Sequence, residues 1–256
     1  MKQALAPQKS ETAQATEPIL FTEKLVKVYG KRAVVNGVDI NIRPGEIVGV
    51  LGPNGAGKTT TFYMVVGLVR PNSGRVVFKG EDMTQYPMYR RARAGMGYLP
   101  QEESIFRKLT VEENIMAILE TTSLGRKARR ERCDQLLEQF GITHVARQQA
   151  LTLSGGEKRR LTIARSLVSN PSLLMLDEPF SGVDPIAVSD VQQIISDLRK
   201  EGLAILITDH NVRETLSIVD RAYLVFEGRI EREGTKDFLI HDPVSRQLYL
   251  GERFQM

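Results

Sequence analysis

Two kinds of apolar pattern alternate along this chain. Residues 19–29 (ILFTEKLVKVY) and 34–42 (VVNGVDINI) alternate apolar and polar side chains. That period puts one face on a core and the other in water, as in half-buried antiparallel strands. The runs EIVGVLG (46–52), SLLMLDE (172–178) and LAILITD (203–209) are almost continuously apolar. Strands buried on both faces of a parallel sheet read this way. Ligands of such sheets bind at the carboxyl ends of the strands. The residues ending the three runs are therefore expected to converge: Gly52 onward, Asp177 with Glu178, and Asp209 with His210. Between about Arg90 and Asn170 the spacing turns helical, in EENIMAIL, ARRERCDQLLEQFGI and EKRRLTIARSLV.

Composition narrows the classes without choosing one. The chain has 256 residues, 41% hydrophobic and 26% charged, as in an ordinary globular protein. No window approaches the roughly 18 to 20 apolar residues of a membrane span. The single cysteine, Cys133, excludes an intrachain disulfide and suits a reducing compartment. The net charge of +4 is mildly basic. Residues 1–18 are polar, lack an apolar signal-peptide stretch and read as a disordered leader.

Residues 52–59, GPNGAGKT, fit GxxxxGK[ST] between an apolar strand and a helical pattern. Gly52, Gly55 and Gly57, with Pro53, Asn54 and Ala56 between them, let backbone N–H groups turn towards phosphate oxygens. Lys58 adds a mobile positive charge, Thr59 a hydroxyl for Mg²⁺, and Thr60 continues the helix start. An acidic pair after a strand often only caps a turn. Beside such a loop, Asp177 is expected to hold Mg²⁺ and Glu178 to act as general base. Ser154 and Glu157 in LSGGE form a capping box. Alone, that reads as an ordinary capped helix. Gly155 and Gly156 would also let an anion approach the backbone.

GPNGAGKT, Gln101, LSGGE, LLMLDE and His210, in this order, resemble the nucleotide-binding subunits of ABC transporters over about residues 19–240. The resemblance implies an α/β fold. Its P-loop NTPase (RecA-like) core has a mostly parallel sheet, joined by an antiparallel β subdomain and a helical subdomain. The expected division is a leader at 1–18, a core with its β subdomain at 19–89 and 171–240, a helical subdomain at 90–170, and a C-terminal helix or tail at 241–256. The resemblance further implies a head-to-tail homodimer in the ATP-bound state. Ser154, Gly155 and Gly156 of one copy would meet the γ-phosphate held by the other. Tyr29 would stack on adenine. Gln101 would sense Mg²⁺ and the attacking water, His210 would contact the γ-phosphate, and Asp184 would lie on the loop crossing the dimer interface. Gly182 and Val183 depart from the family's usual SALD wording there. His144 and His241 match nothing and are expected on the surface.

TTTFYMVVGLVRPNSG, GYLPQEESIFRKLTVEENI, DEPFSGVDP, LITDHNVRETL and YLGERF more closely resemble the lipopolysaccharide-export ATPases of Gram-negative bacteria. Branched-chain amino-acid importers are the alternative within the family. The longer leader, Thr162 and the residues after Tyr249 depart from the export pattern. This resemblance implies a Mg-dependent ATPase peripheral on the cytoplasmic face of the inner membrane. Two transmembrane permeases would dock near Gln101, Phe106 and Arg107. The basic clusters at 90–93, 125–132 and 157–160 raise nucleic acid as a rival partner. Acidic residues interleave them, and a solvated face or attraction to anionic headgroups fits better, so no nucleic acid is expected.

Overall fold

The computed structural model describes residues 17–102, 104–251 and 254. The expected disordered leader at 1–18 lies outside these residues up to residue 16, and part of the tail does too.

The alternating N-terminal pattern becomes an antiparallel sheet. Strands β1 (Leu20–Tyr29), β2 (Arg32–Val38), β3 (Asn41–Ile42), β5 (Ser73–Phe78) and β6 (Glu81–Asp82) form it, in the order β2-β1-β5-β6 with β3 also on β1. The three apolar runs become β4 (Ile47–Leu51), β8 (Leu173–Asp177) and β9 (Ala204–Thr208), and every residue in them is buried. With β7 (Met96–Leu99), β10 (Arg221–Phe226) and β11 (Arg229–Thr235) they form a second sheet, in the order β11-β10-β4-β9-β8-β7. All its pairings are parallel except the β10–β11 hairpin.

Burial on both faces explains the continuous apolar runs. Ile47, Leu51, Leu174, Leu176, Ile205 and Ile207 enter one core cluster with the helical segment. Val48, Val50, Leu173, Met175, Ala204 and Leu206 enter the other, with α1 (Lys58–Val66) and the antiparallel sheet. Each of the Val, Leu, Ile and Met side chains among them contributes roughly 1.5–3 kcal/mol relative to exposure.

The remaining helices are α2 (Met88–Ala94), α3 (Val111–Leu119), α4 (Arg126–Gln139), α5 (Gly155–Ser166), α6 (Pro185–Lys200), α7 (Val212–Ile218), α8 (Lys236–His241) and α9 (Pro243–Ser245). The expected boundary at residue 90 cuts through α2. Strand β7 pairs with β8 in the second sheet although it lies within 90–170. Four residues with a glycine among them carry too little periodicity to stand out from the helical surroundings. Residues 241–256 hold α9 and a turn of π-helix at Arg246–Leu250. Tyr249, Leu250 and Phe254 pack on the core.

Candidate functional site

The loop 52–57 joins the end of β4 to α1. Gly52 adopts φ 147° and Gly57 φ 101°. A Cβ would fall 2.0 Å from the Val225 carbonyl oxygen at Gly52, and 2.4 Å from that of Val34 at Gly57. These glycines let the loop press against its neighbours. The β10–β11 turn braces it, because Gly228 N–H donates to the Ala56 carbonyl at 2.8 Å. Gly57 caps α1 without a side-chain hydrogen bond. The first-turn N–H groups and the helix dipole thus remain for an anion. Thr59 is exposed and Thr60 half-buried at this end. Lys58 donates to the carbonyls of Gly52 at 2.7 Å and Pro53 at 3.0 Å. Burial lowers its pKa, while Glu178 and Asp209 act in the opposite direction.

Two strands away, β8 ends in the acidic pair. Asp177 is only 2% exposed. Burial pushes its carboxyl up to about 6, against the hydrogen bonds of Tyr63 and Tyr98. Glu178 has φ 48°, a conformation that costs a non-glycine residue roughly 1–2 kcal/mol. Its N–H donates to the Thr208 carbonyl at 2.6 Å. Its carboxylate Oε2 accepts from Gln101 Nε2 at 2.8 Å and lies 3.1 Å from His210 Nδ1. The ends of β7, β8 and β9 therefore bring Gln101, Glu178 and His210 together.

Asp209 beside them is fully buried. It accepts from the N–H groups of Phe180 and Asn211, both at 2.8 Å. One carboxylate thus ties the loop after β8 to the loop after β9. No motif gives it that role, although it ends an apolar run. Tyr63 and Tyr98 carry no sequence signal beyond being polar-tipped residues in buried elements.

Ser154 caps α5, and the capping box with Glu157 is complete. Open space surrounds Gly155 and Gly156. Gly155, Gly156, Gln101, Ser181 and Asp184 border a cavity of about 190 Å³. Asp184 accepts from Ala187 N–H at 3.0 Å. Among the described residues no hydrogen bond or ion pair joins LSGGE to the loop 52–59 of the same chain. His144 is on the surface, yet its Nε2 lies 3.4 Å from Glu157.

Tyr29 ends β1 with 50% exposure, and Lys27 lies over its ring at 5.2 Å. Phe106 is 46% exposed under the Arg165 guanidinium at 4.6 Å. Asn114, fully buried in α3, holds the Phe106 backbone through its N–H at 2.8 Å and its carbonyl at 3.0 Å. Arg107 is exposed, and its carbonyl accepts from Leu151 N–H. A polar residue within the apolar stripe of EENIMAIL was the available clue to Asn114.

The family model described as ABC transporter matches residues 35–181. The chain belongs to the ABC transporter family. It is 55% identical to the lipopolysaccharide export system ATP-binding protein LptB of Haemophilus influenzae, over 93% of this chain and 99% of that one. It is 49% identical to the protein of the same name from Escherichia coli K12, with the same coverage. A probable ABC transporter ATP-binding protein of Azorhizobium caulinodans is 55% identical over 91% of this chain and 83% of that one. Among solved structures, an ATP-binding cassette of an ABC transporter in its ADP conformation superposes with a TM-score of 0.83 at 28% identity. That alignment covers 93% of this chain and 100% of the other. As an ABC ATPase the chain binds nucleotide. Among the described residues no helix is long and apolar enough to cross a membrane.

Proposed function

We propose that this chain is the ATP-hydrolysing subunit of a transporter that extracts lipopolysaccharide from the inner membrane. One observation carries the chemistry: Glu178 is bracketed by Gln101 and His210 at 2.8 and 3.1 Å. A carboxylate held this way can accept a proton from water attacking the γ-phosphate. Gln101 orients that water, and His210 contacts the γ-phosphate. The loop 52–57, with Thr59 and Thr60, wraps the phosphates. Lys58 leaves the loop carbonyls to reach them, and Tyr29 offers its open face to adenine.

Mg²⁺ fits the donors present. Asp177 is a buried carboxylate whose hydrogen-bonding partners are neutral hydroxyls, and Thr59 offers an exposed hydroxyl. Oxygen donors of this kind, with phosphates, are what Mg²⁺ takes. Among the described residues no cluster of three His, Cys, Asp or Glu could hold a metal by itself. That accords with a cation arriving with its nucleotide. Once bound, it would neutralise charge developing on the phosphates.

Ser154 and Gly155 are exposed, and Gly156 is half-buried with open space beside it, which supports a head-to-tail homodimer in which they complete the partner's phosphate site. Asp184 would line the shared interface. We divide the chain into a core with its β subdomain (19–89 and 171–240, joined by β7 at Met96–Leu99 through its pairing with β8), a helical subdomain in the rest of 90–170 and a tail (241–256). Two transmembrane permeases would dock near Gln101, Phe106 and Arg107, which holds the subunit at the cytoplasmic face. The relatives named for lipopolysaccharide export match along 99% of their length, which favours export over amino-acid import.

The test is purification from detergent-solubilised membranes, followed by ATP-driven release of lipopolysaccharide from vesicles holding the complex. Co-purification with two permeases and release that stops with Glu178→Gln are expected. A chain recovered only in the soluble fraction with bound nucleic acid overturns the reading. Stimulation by an amino-acid-loaded binding protein would instead favour an importer.

A further inference from the structure

Two tyrosines stand beside Asp177. Tyr98 Oη donates to Asp177 Oδ2 at 3.4 Å. Tyr63, from α1, faces the same carboxylate, whose charge adds to burial in raising the pKa of its hydroxyl. Neutral hydroxyls orient a carboxylate without cancelling its charge, so the charge stays available to a cation. Partners of this kind fix how a metal-holding group points.

The two tyrosines differ in what else they touch. Tyr63 belongs to the helix that starts at the phosphate loop. Tyr98 belongs to β7, and its ring packs against Phe62 with centroids 6.2 Å apart. It also lines an open groove of about 270 Å³ with Met88, Ala92, Ser104 and Ile118. This one side chain therefore reaches from a surface groove to a buried carboxylate. Three residues further on, the same segment delivers Gln101 to Glu178.

We propose that Tyr98 is a positioning residue: its hydroxyl holds Asp177 in the orientation that receives Mg²⁺. The proposal rests on the reading of Asp177 as the carboxylate that holds the cation.

The test measures affinity of the full chain for a non-hydrolysable ATP analogue, once with Mg²⁺ and once with EDTA. The readout is the ratio of the two affinities. Tyr98→Phe keeps the ring and removes only the hydroxyl. It should lower the ratio roughly tenfold and leave the EDTA affinity unchanged. In an Asp177→Asn chain the ratio is already low, and adding Tyr98→Phe should change nothing more. Tyr63→Phe, a second hydroxyl removed from the same carboxylate, should also lower the ratio, and it serves if Tyr98→Phe does not fold. A normal ratio in both tyrosine variants, with a lowered one in Asp177→Asn, overturns the proposal and leaves the cation reading standing. So does a fall in EDTA affinity without a change in ratio, which would mark a merely structural role. A normal ratio in Asp177→Asn overturns the cation reading itself.

Discussion

The amide of Gln101 donates to the carboxylate of Glu178 at 2.8 Å. Strand register produces this contact. β7 and β8 pair from Met96 with Leu173 to Leu99 with Leu176. Continuing that register past the strand ends sets Gln101 opposite Glu178. A slip by one residue would turn each side chain to the other face and separate the pair.

Glu178→Gln keeps shape and hydrogen-bonding capacity but loses the basic oxygen. We expect retained ATP binding and hydrolysis slowed by roughly 10²- to 10⁴-fold. Single-turnover hydrolysis beside a nucleotide titration checks this, and near-normal turnover would remove Glu178 from the role of base. Lys58→Ala should instead weaken nucleotide affinity in the same titration.

Gly52→Ala and Gly57→Ala each drive a methyl into a backbone carbonyl, at 2.0 and 2.4 Å. Backbone on both sides leaves no cheap relief. Both variants should lose nucleotide binding and melt at lower temperature. Gly55 has open space around it and φ 77°, so Gly55→Ala should cost only the conformational term, about 1–2 kcal/mol. Thermal melts of the three variants compare them directly.

Asp209→Ala leaves the N–H groups of Phe180 and Asn211 without their carboxylate. An unsatisfied buried donor costs about 1–3 kcal/mol. We expect a lower unfolding midpoint in denaturant. Amide hydrogen exchange should also quicken in the loops after β8 and β9, which would lower turnover through displaced Glu178 and His210. Unchanged exchange there would mean that Asp209 does not join the two loops.

The cap of α5 should respond to acid. Hydrogen bonds from Ser154 hold the Glu157 carboxyl below its usual value of 4.5. A depressed folded-state pKa contributes stability above the unfolded value, and that contribution is lost as pH falls through the folded one. The first turn of α5 should therefore exchange its amides faster below about pH 4.5, relative to the intrinsic rate, and Glu157→Gln should flatten that dependence.

Much of the fold was legible from local pattern. The continuous apolar runs are the neighbouring strands β4, β9 and β8, and their ends do converge. The glycine loop, the acidic pair and the capping box each depend on a short stretch of chain, so local spacing announces them. β7 was not legible, because four residues show no period. Asp209 and Asn114 went unassigned because their partners lie in other segments, and a polar residue in an apolar pattern does not say whom it satisfies.

The sequence by itself determined the chemistry on offer: a phosphate loop, two carboxylates after a buried strand, a capped glycine-rich helix start, and a family to compare them with. Tertiary structure alone decided how these groups meet. Register across β7 and β8 sets Gln101 on Glu178, packing of α1 and β7 sets two tyrosines on Asp177, and Lys58 rests on its own loop. The physical reason is range. Backbone conformation and burial period depend on neighbours along the chain, whereas a contact between distant segments depends on how whole strands and helices pack.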